Sequence, residues 1–316
     1  MLAERPILTD VYEHVSEFSP EAASIYVFRR SNEERSEQVP PMLAAGSAVA
    51  IEVLQEERFS TLMQLGEEQF TVPLRSERSL AAFWARFAIG TPVYLDITGL
   101  SHHVWSAFLK SALAHQHDVM ALYVEPADYR YSSVATDGEI FDLSLRTEGI
   151  DSLPGFATLA EESTDLVFIP LLGFEGARLA HLLEETEPAA DRIIPIVGVP
   201  GFRIEYPFHT YAGNKRVLTA TGAWRRARYA AANCPFSLYY LLEDISREFP
   251  LARLSIAPIG TKPHALGAVL FKVLQGSTNV ELVYDFPIRK VGRTRGADRL
   301  FVYHVATLAG GAMRGQ

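Results

Sequence analysis

The residues best suited to hold a charged ligand fall in three short turns, each lying between an apolar run and a helical pattern. In the last of them, Leu254 to Ile259 gives way to Gly260-Thr261-Lys262-Pro263-His264, and small apolar residues follow from Ala265 to Leu270. Glycine admits close backbone approach, Thr261 brings a hydroxyl, Lys262 an ammonium, and the free N–H groups at a helix start favour an anion. The second turn, Gly173-Phe174-Glu175-Gly176, adds the Arg178 guanidinium. The first, Asp96-Ile97-Thr98-Gly99-Leu100-Ser101-His102-His103, adds the Thr98 and Ser101 hydroxyls. The ligand contacts expected are therefore Thr98, Gly99, Ser101, Gly173, Arg178, Gly260, Thr261 and Lys262. Arg289 and Arg293 join them from the basic run Asp285 to Arg295, because guanidinium forks suit phosphate oxygens.

The same turns carry groups able to move protons. Asp96 or Glu175, working with His102 or His264, would make a general acid and base on a nucleotide substrate. The familiar loops for such chemistry are missing: the chain has no GxxxxGK[ST], no GxGxxG, no GxSxG and no HExxH. With one cysteine, Cys234, there is no internal disulfide and no multi-cysteine metal site, so no metal is expected.

The elements that must position these residues read as alternating strands and helices. Residues 1–90 look like a small N-terminal β-rich region, with strands at 24–29, 48–54 and 68–73 and a helix at 79–87. From residue 91 to 316 the pattern predicts a Rossmann-like domain. Its strands fall at 93–98, 119–124, 166–172, 193–197, 254–259 and 280–284, and an antiparallel edge strand at 300–305 closes it. Helices fall at 102–114, 177–186, 237–248 and from the Lys262 turn to about 274. Residues 127–155 and 201–222 read as irregular, and 223–232 as a helix. The expected fold class is α/β, a doubly wound, mostly parallel sheet, with all three turns on one carboxyl edge.

Composition narrows the function classes. Of the 316 residues 48% are hydrophobic, enough for a sizeable core, and no apolar run reaches the ~18 residues a membrane helix needs. A cytoplasmic protein that does not enter membranes is expected. The net charge of −9 is uneven: from Asp191 onward there are 17 Lys+Arg against 8 Asp+Glu, leaving 12 against 30 before it. The basic half suits a phosphorylated ligand, a nucleic acid or the acidic half of a second subunit. Phe202, Tyr206, Phe208 and Tyr211 would mark an interface if exposed.

The Gly260-Thr261-Lys262 turn resembles the GTK-type turn of the Rossmann-like sensor domains associated with CRISPR systems (CARF domains), and Asp96-Ile97-Thr98-Gly99 resembles their other nucleotide-facing turn. The resemblance implies a dimerising domain that binds cyclic oligonucleotides, a place in bacterial anti-phage defence, and ligand contacts at Thr98, Gly99, Ser101, Thr261 and Lys262. The chain departs from that family in that no nuclease or helix-turn-helix pattern follows the late GTK turn. Three readings stay open: a ligand-sensing subunit for a nucleotide or other phosphorylated small molecule, a nucleotide hydrolase on the same site, and a structural module of a protein complex or homo-oligomer. The first leads, and it needs no turnover.

Overall fold

The computed structural model describes residues 8–38, 43, 48–136, 139–157, 165–276 and 279–314. The chain opens with β1 (Thr9–Tyr12), β2 (Ile25–Phe28), β3 (Val49–Glu56), β4 (Ser60–Leu65), β5 (Glu68–Pro73), α1 (Glu77–Trp84), β6 (Pro92–Asp96), α2 (His102–Ala114) and β7 (Asp118–Val124). Short strands follow: β8 (Asp128–Tyr129), β9 (Tyr131–Thr136), β10 (Glu139–Phe141), β11 (Ser144–Thr147) and β12 (Asp151–Ser152). Then come β13 (Leu166–Leu171), α3 (Gly176–Thr186), β14 (Ile196–Gly198), α4 (Tyr206–Thr221), β15 (Arg228–Ala230), α5 (Pro235–Glu248), β16 (Arg253–Pro258), α6 (Lys262–Gln275) and β17 (Val280–Tyr284). The chain ends with β18 (Pro287–Arg289), β19 (Thr294–Arg295), β20 (Leu300–His304) and α7 (Val305–Arg314).

These elements form two compact units. One comprises Met1–Ala127 with Gly296–Gln316, the other Asp128–Arg295. The expected boundary at residue 90 is therefore replaced by an insertion between Ala127 and Gly296. The reason is strand pairing: β6 pairs in parallel with β2, so Val93–Leu95 lie in the same sheet as Ile25–Val27. Residues 1–90 make no layer of their own.

The outer unit holds an eight-stranded sheet of order β1-β20-β7-β6-β2-β3-β4-β5. Its parallel centre is β7-β6-β2-β3, flanked by antiparallel pairs. Ile25, Val27, Val93 and Val119 are fully buried, as strands covered on both faces require. The strand expected at 300–305 is indeed antiparallel, but it sits between β1 and β7 and belongs to this unit.

The inserted unit holds a six-stranded, mostly parallel sheet of order β12-β17-β16-β13-β14-β15. Only β12 runs antiparallel, against β17. A core of Phe168, Leu179, Leu182, Ile193, Val197 and Leu218 packs α3 and α4 on this sheet. Residues 127–155, expected to be irregular, supply β8 to β12, and β11 pairs with β18 with Ser144 opposite Arg289.

One stretch was misread from its periodicity. Residues 206–221 form a helix, while 223–232 hold a single 3-10 turn and then β15. The buried stripe of α4 is Tyr206, Thr210, Asn214 and Leu218. Its spacing is helical, but two of the four residues are polar, so no apolar period announces it.

Candidate functional site

In the inserted unit the central strands β13 and β16 end at the second and third turns. These turns press on one another backbone to backbone. A Cβ on Gly173 would lie 2.8 Å from the Ile259 carbonyl oxygen, and one on Gly260 2.6 Å from that of Leu172. Both glycines thus serve turn packing, since a side chain at either would meet the backbone of the other turn. Thr261 is the N-cap of α6: its hydroxyl accepts from the His264 N–H at 3.3 Å and donates to the Ala232 carbonyl at 2.8 Å. Lys262 is the first residue of that helix and is half-buried.

The charged groups gather beside these turns. Arg178, on the first turn of α3, is buried and makes a bidentate pair with Asp285 (Nε to Oδ2 2.7 Å, Nη2 to Oδ1 2.5 Å), while Nη1 donates to the Ile259 carbonyl at 2.9 Å. Burial by itself would lower the Arg178 pKa. The hydrogen bonds and charge of Asp285 outweigh it and hold the guanidinium above its ordinary value. Arg289 moves the other way. Burial lowers it most, and the positive charges of Arg293 and Arg178 lower it further, against raising contributions from Tyr284 and Glu175. The guanidinium groups of Arg178, Arg289 and Arg293 and the carboxylate of Glu175 therefore act on one another electrostatically, with Asp285 paired to Arg178.

Beside this cluster lies a cavity of about 420 Å³. Its wall from α3 is Glu175, Ala177, Arg178 and His181, and its wall from the β10–β11 segment includes Phe141, Ser144, Arg146 and Thr147. Glu175 ties the two walls together: its carboxylate accepts from the N–H groups of Leu143 (3.0 Å) and Ser144 (2.7 Å) and from the Ser144 hydroxyl (2.8 Å). Although Glu175 stands at the N-cap of α3, its side chain does not cap that helix. Arg146 is exposed and, among the described residues, has no ion-pair partner. Phe141 stacks on Phe174 (centroids 4.4 Å apart) and on Tyr131 (5.1 Å), whose own ring is 59% exposed.

The first turn belongs to the outer unit, so the three turns do not share a sheet. Asp96 accepts from the Thr98 N–H at 2.9 Å and from the Tyr26 hydroxyl at 3.1 Å, and the Thr98 hydroxyl accepts from the Val124 N–H at 2.9 Å. A Cβ on Gly99 would fall 1.9 Å from the Arg29 carbonyl oxygen. The start of α2 already has an anion: Glu56 accepts from the Ser101 N–H (2.8 Å) and hydroxyl (2.6 Å) and lies 3.3 Å from Arg29.

The candidate catalytic residues are thereby divided between units, Asp96 and His102 in one, Glu175 and His264 in the other. His102 is buried. His264 is 1% exposed with Nε2 3.1 Å from the Ala231 carbonyl oxygen, and burial pushes its pKa down to about 4, so it is neutral at pH 7. Cys234 accepts from the Ser237 N–H at 3.4 Å and so begins α5. Among the described residues no group of three or more His, Cys, Asp or Glu is placed to hold a metal ion. No helix among them is long and apolar enough to cross a membrane.

Of the three arginines expected at one edge, Arg178 lines the cavity, while Arg289 and Arg293 are not among its lining residues; Arg289 feels the charges of both others. The residues that sequence reasoning missed are Arg146, His181, Ser144 and the stacked rings, because they lie in or against the section read as irregular. No apolar alternation announces them: Ser144-Leu145-Arg146-Thr147 holds one apolar residue, and Leu145 is 63% exposed. No family model matches the chain, and no curated protein matches it significantly.

Proposed function

We propose that the inserted unit binds a nucleotide or another phosphorylated small molecule in the cavity beside α3, and that the protein acts as a ligand-sensing or regulatory subunit. The observation that carries this is the Arg178, Arg289 and Arg293 cluster. A bound anion would relieve the burial and the repulsion from Arg293 and Arg178 that depress Arg289. Arg146 and the uncapped start of α3 face the same space, where a phosphate is favoured by charge and by the helix dipole. The half-exposed Tyr131 stacked on Phe141 gives a planar base an apolar surface.

The strand order supports a Rossmann-like reading. In β15-β14-β13-β16-β17 the order reverses between β13 and β16, and ligands of doubly wound sheets bind outside the carboxyl ends at such a point. There the turns at Gly173 and Gly260 pack on one another, and the proposed ligand lies beside them, against the first turns of α3. A ligand touching both Arg146 and Arg178 would bridge the β11 segment to α3 and shift the balance between their arrangements. Cytoplasmic location, assembly with itself or other subunits, and a role in bacterial anti-phage defence belong to the same proposal. The last rests on the likeness of two turns to CARF-type sensors. Binding without turnover is the preferred reading, since Glu175 is committed to Leu143 and Ser144.

The test is a thermal-shift and titration screen against mononucleotides, cyclic oligonucleotides and inorganic phosphate. A ligand at about 100 times its Kd should stabilise by about 2.7 kcal/mol, a rise in Tm of roughly 5–10 °C. Arg146→Ala, at an exposed position, should abolish the shift while leaving the unliganded Tm unchanged. A panel with no hit, or a hit indifferent to Arg146→Ala, overturns the assignment.

A further inference from the structure

A second surface of the inserted unit is unrelated to the cavity. Between Val199 and Ala230 the chain carries six Lys or Arg and a single acidic residue, Glu205, in a protein of net charge −9. On α4, Phe208, Tyr211 and Lys215 recur at helical spacing and share one stripe. Phe208 is 72% exposed. Tyr211 meets Tyr229 of β15 hydroxyl to hydroxyl at 2.9 Å, and Tyr229 is itself 55% exposed. Just past the end of α4, Trp224 is 50% exposed, and the Arg225 guanidinium lies 5.1 Å from its ring centroid. The helix and the edge strand thus carry exposed rings alternating with cations. Lys215, Arg216 and Arg225 have no ion-pair partner among the described residues.

We infer that this face binds single-stranded nucleic acid. Unpaired bases expose planar faces that stack on such rings whatever their sequence, and the backbone brings phosphates at a spacing that interleaved cations can meet. A duplex hides those faces, so the rings would contribute nothing to it. An acidic protein partner is the competing occupant. It is disfavoured because lysine is depleted at protein interfaces, while here unpaired Lys215 lies on the same stripe as the rings. The guanidinium over Trp224 leaves that arginine aligned to extend a stack or reach a phosphate.

The experiment titrates the full chain against fluorescein-labelled dT20 and U20, reading anisotropy and intrinsic tryptophan emission. Of the three tryptophans, Trp84 and Trp105 are 1% and 0% exposed, so quenching would report Trp224. Binding should weaken about twentyfold between 50 and 200 mM salt if three phosphates are neutralised. Trp224→Ala should weaken it about fivefold or more, and the double variant K215E/R216E should also flatten the salt dependence. Arg146→Ala, which tests the cavity, should leave strand binding unchanged, so either assignment can fail alone. The inference is overturned by no binding at 50 mM salt, by equal affinity for a hairpin duplex, or by binding that folded Trp224→Ala leaves intact. It is equally overturned if polyglutamate displaces the strand at matched charge, which would mark a docking site for an acidic protein.

Discussion

The two units use one device to opposite ends. In each, a glutamate carboxylate accepts from the N–H and the hydroxyl of one serine: Glu56 from Ser101 in the outer unit, Glu175 from Ser144 in the inserted one. In the outer unit the carboxylate comes from β3 and the serine is the N-cap of α2, so the helix start is filled from within. In the inserted unit the carboxylate leaves its own helix start to hold β11, and the start of α3 opens on a cavity. A turn that reads as an anion site can already be occupied by the protein's own anion. Which of the two holds depends on what reaches it from elsewhere in the sheet.

The largest test of this contrast is Arg178→Met. Removing one partner of a buried pair leaves Asp285, which is 0% exposed, without its counter-charge, and a loss of about 3–5 kcal/mol is expected in urea unfolding. A loss under 1 kcal/mol would mean that the pair is not what anchors the cluster. His264 comes next. Its folded pKa of about 4 lies below the ordinary value of 6.5, so unfolding takes up a proton once the pH drops below about 6.5. Its stabilising contribution is complete above that pH and is lost as the pH falls toward 4, at about 1.4 kcal/mol per pH unit and about 3 kcal/mol in all. His264→Gln should flatten unfolding free energy over this window. An unchanged slope would show that other groups carry the acid sensitivity.

The carboxylates themselves separate the two uses. Glu56→Gln and Glu175→Gln should each destabilise by about 1–3 kcal/mol through lost charged hydrogen bonds. Only Glu175→Gln should tighten phosphate binding, because it removes a negative charge from the cavity wall. Equal ligand affinity in both variants would erase the distinction between a filled and an open helix start. The smallest effect on stability belongs to Tyr131→Ala, within about 0.5 kcal/mol at a ring that is 59% exposed. The same variant should lower affinity for a nucleotide and spare that for inorganic phosphate, measured by titration. Equal losses for both would remove the base from the proposed ligand.

Much of the fold was legible because buried parallel strands must be apolar on both faces. The run at 280–284 lies where that rule puts it, and periodicity and turn residues place the antiparallel edge strand at 68–73 and the helix at 102–114. The clearest misreadings were in and after α4. Its buried Thr210 and Asn214 find carbonyl partners: the Thr210 hydroxyl donates to the Tyr206 carbonyl at 3.1 Å, and Asn214 Nδ2 donates to the Thr210 carbonyl one turn back and to the Gly173 carbonyl of the second turn, each at 2.8 Å. A polar residue that can be buried only because its partners are waiting for it carries no hydrophobic signature.

By itself the sequence determined the type of most strands and helices outside 127–155 and 201–232, and the local caps at Ser76, Thr261 and Cys234, because these depend on neighbours within a few residues. It also determined that basic side chains would crowd the region after β17. Tertiary structure alone decided that the strands expected in one doubly wound sheet over residues 91–316 divide between two large sheets, since a parallel strand reads the same whichever sheet it joins. The charge imbalance between chain halves changes with that decision. The outer unit has 11 Lys+Arg against 18 Asp+Glu and the inserted unit 18 against 20, because the insertion takes acidic and basic segments together. Tertiary structure alone also decided which helix start is filled and which stays open, because a carboxylate's reach through space is not written in its distance along the chain.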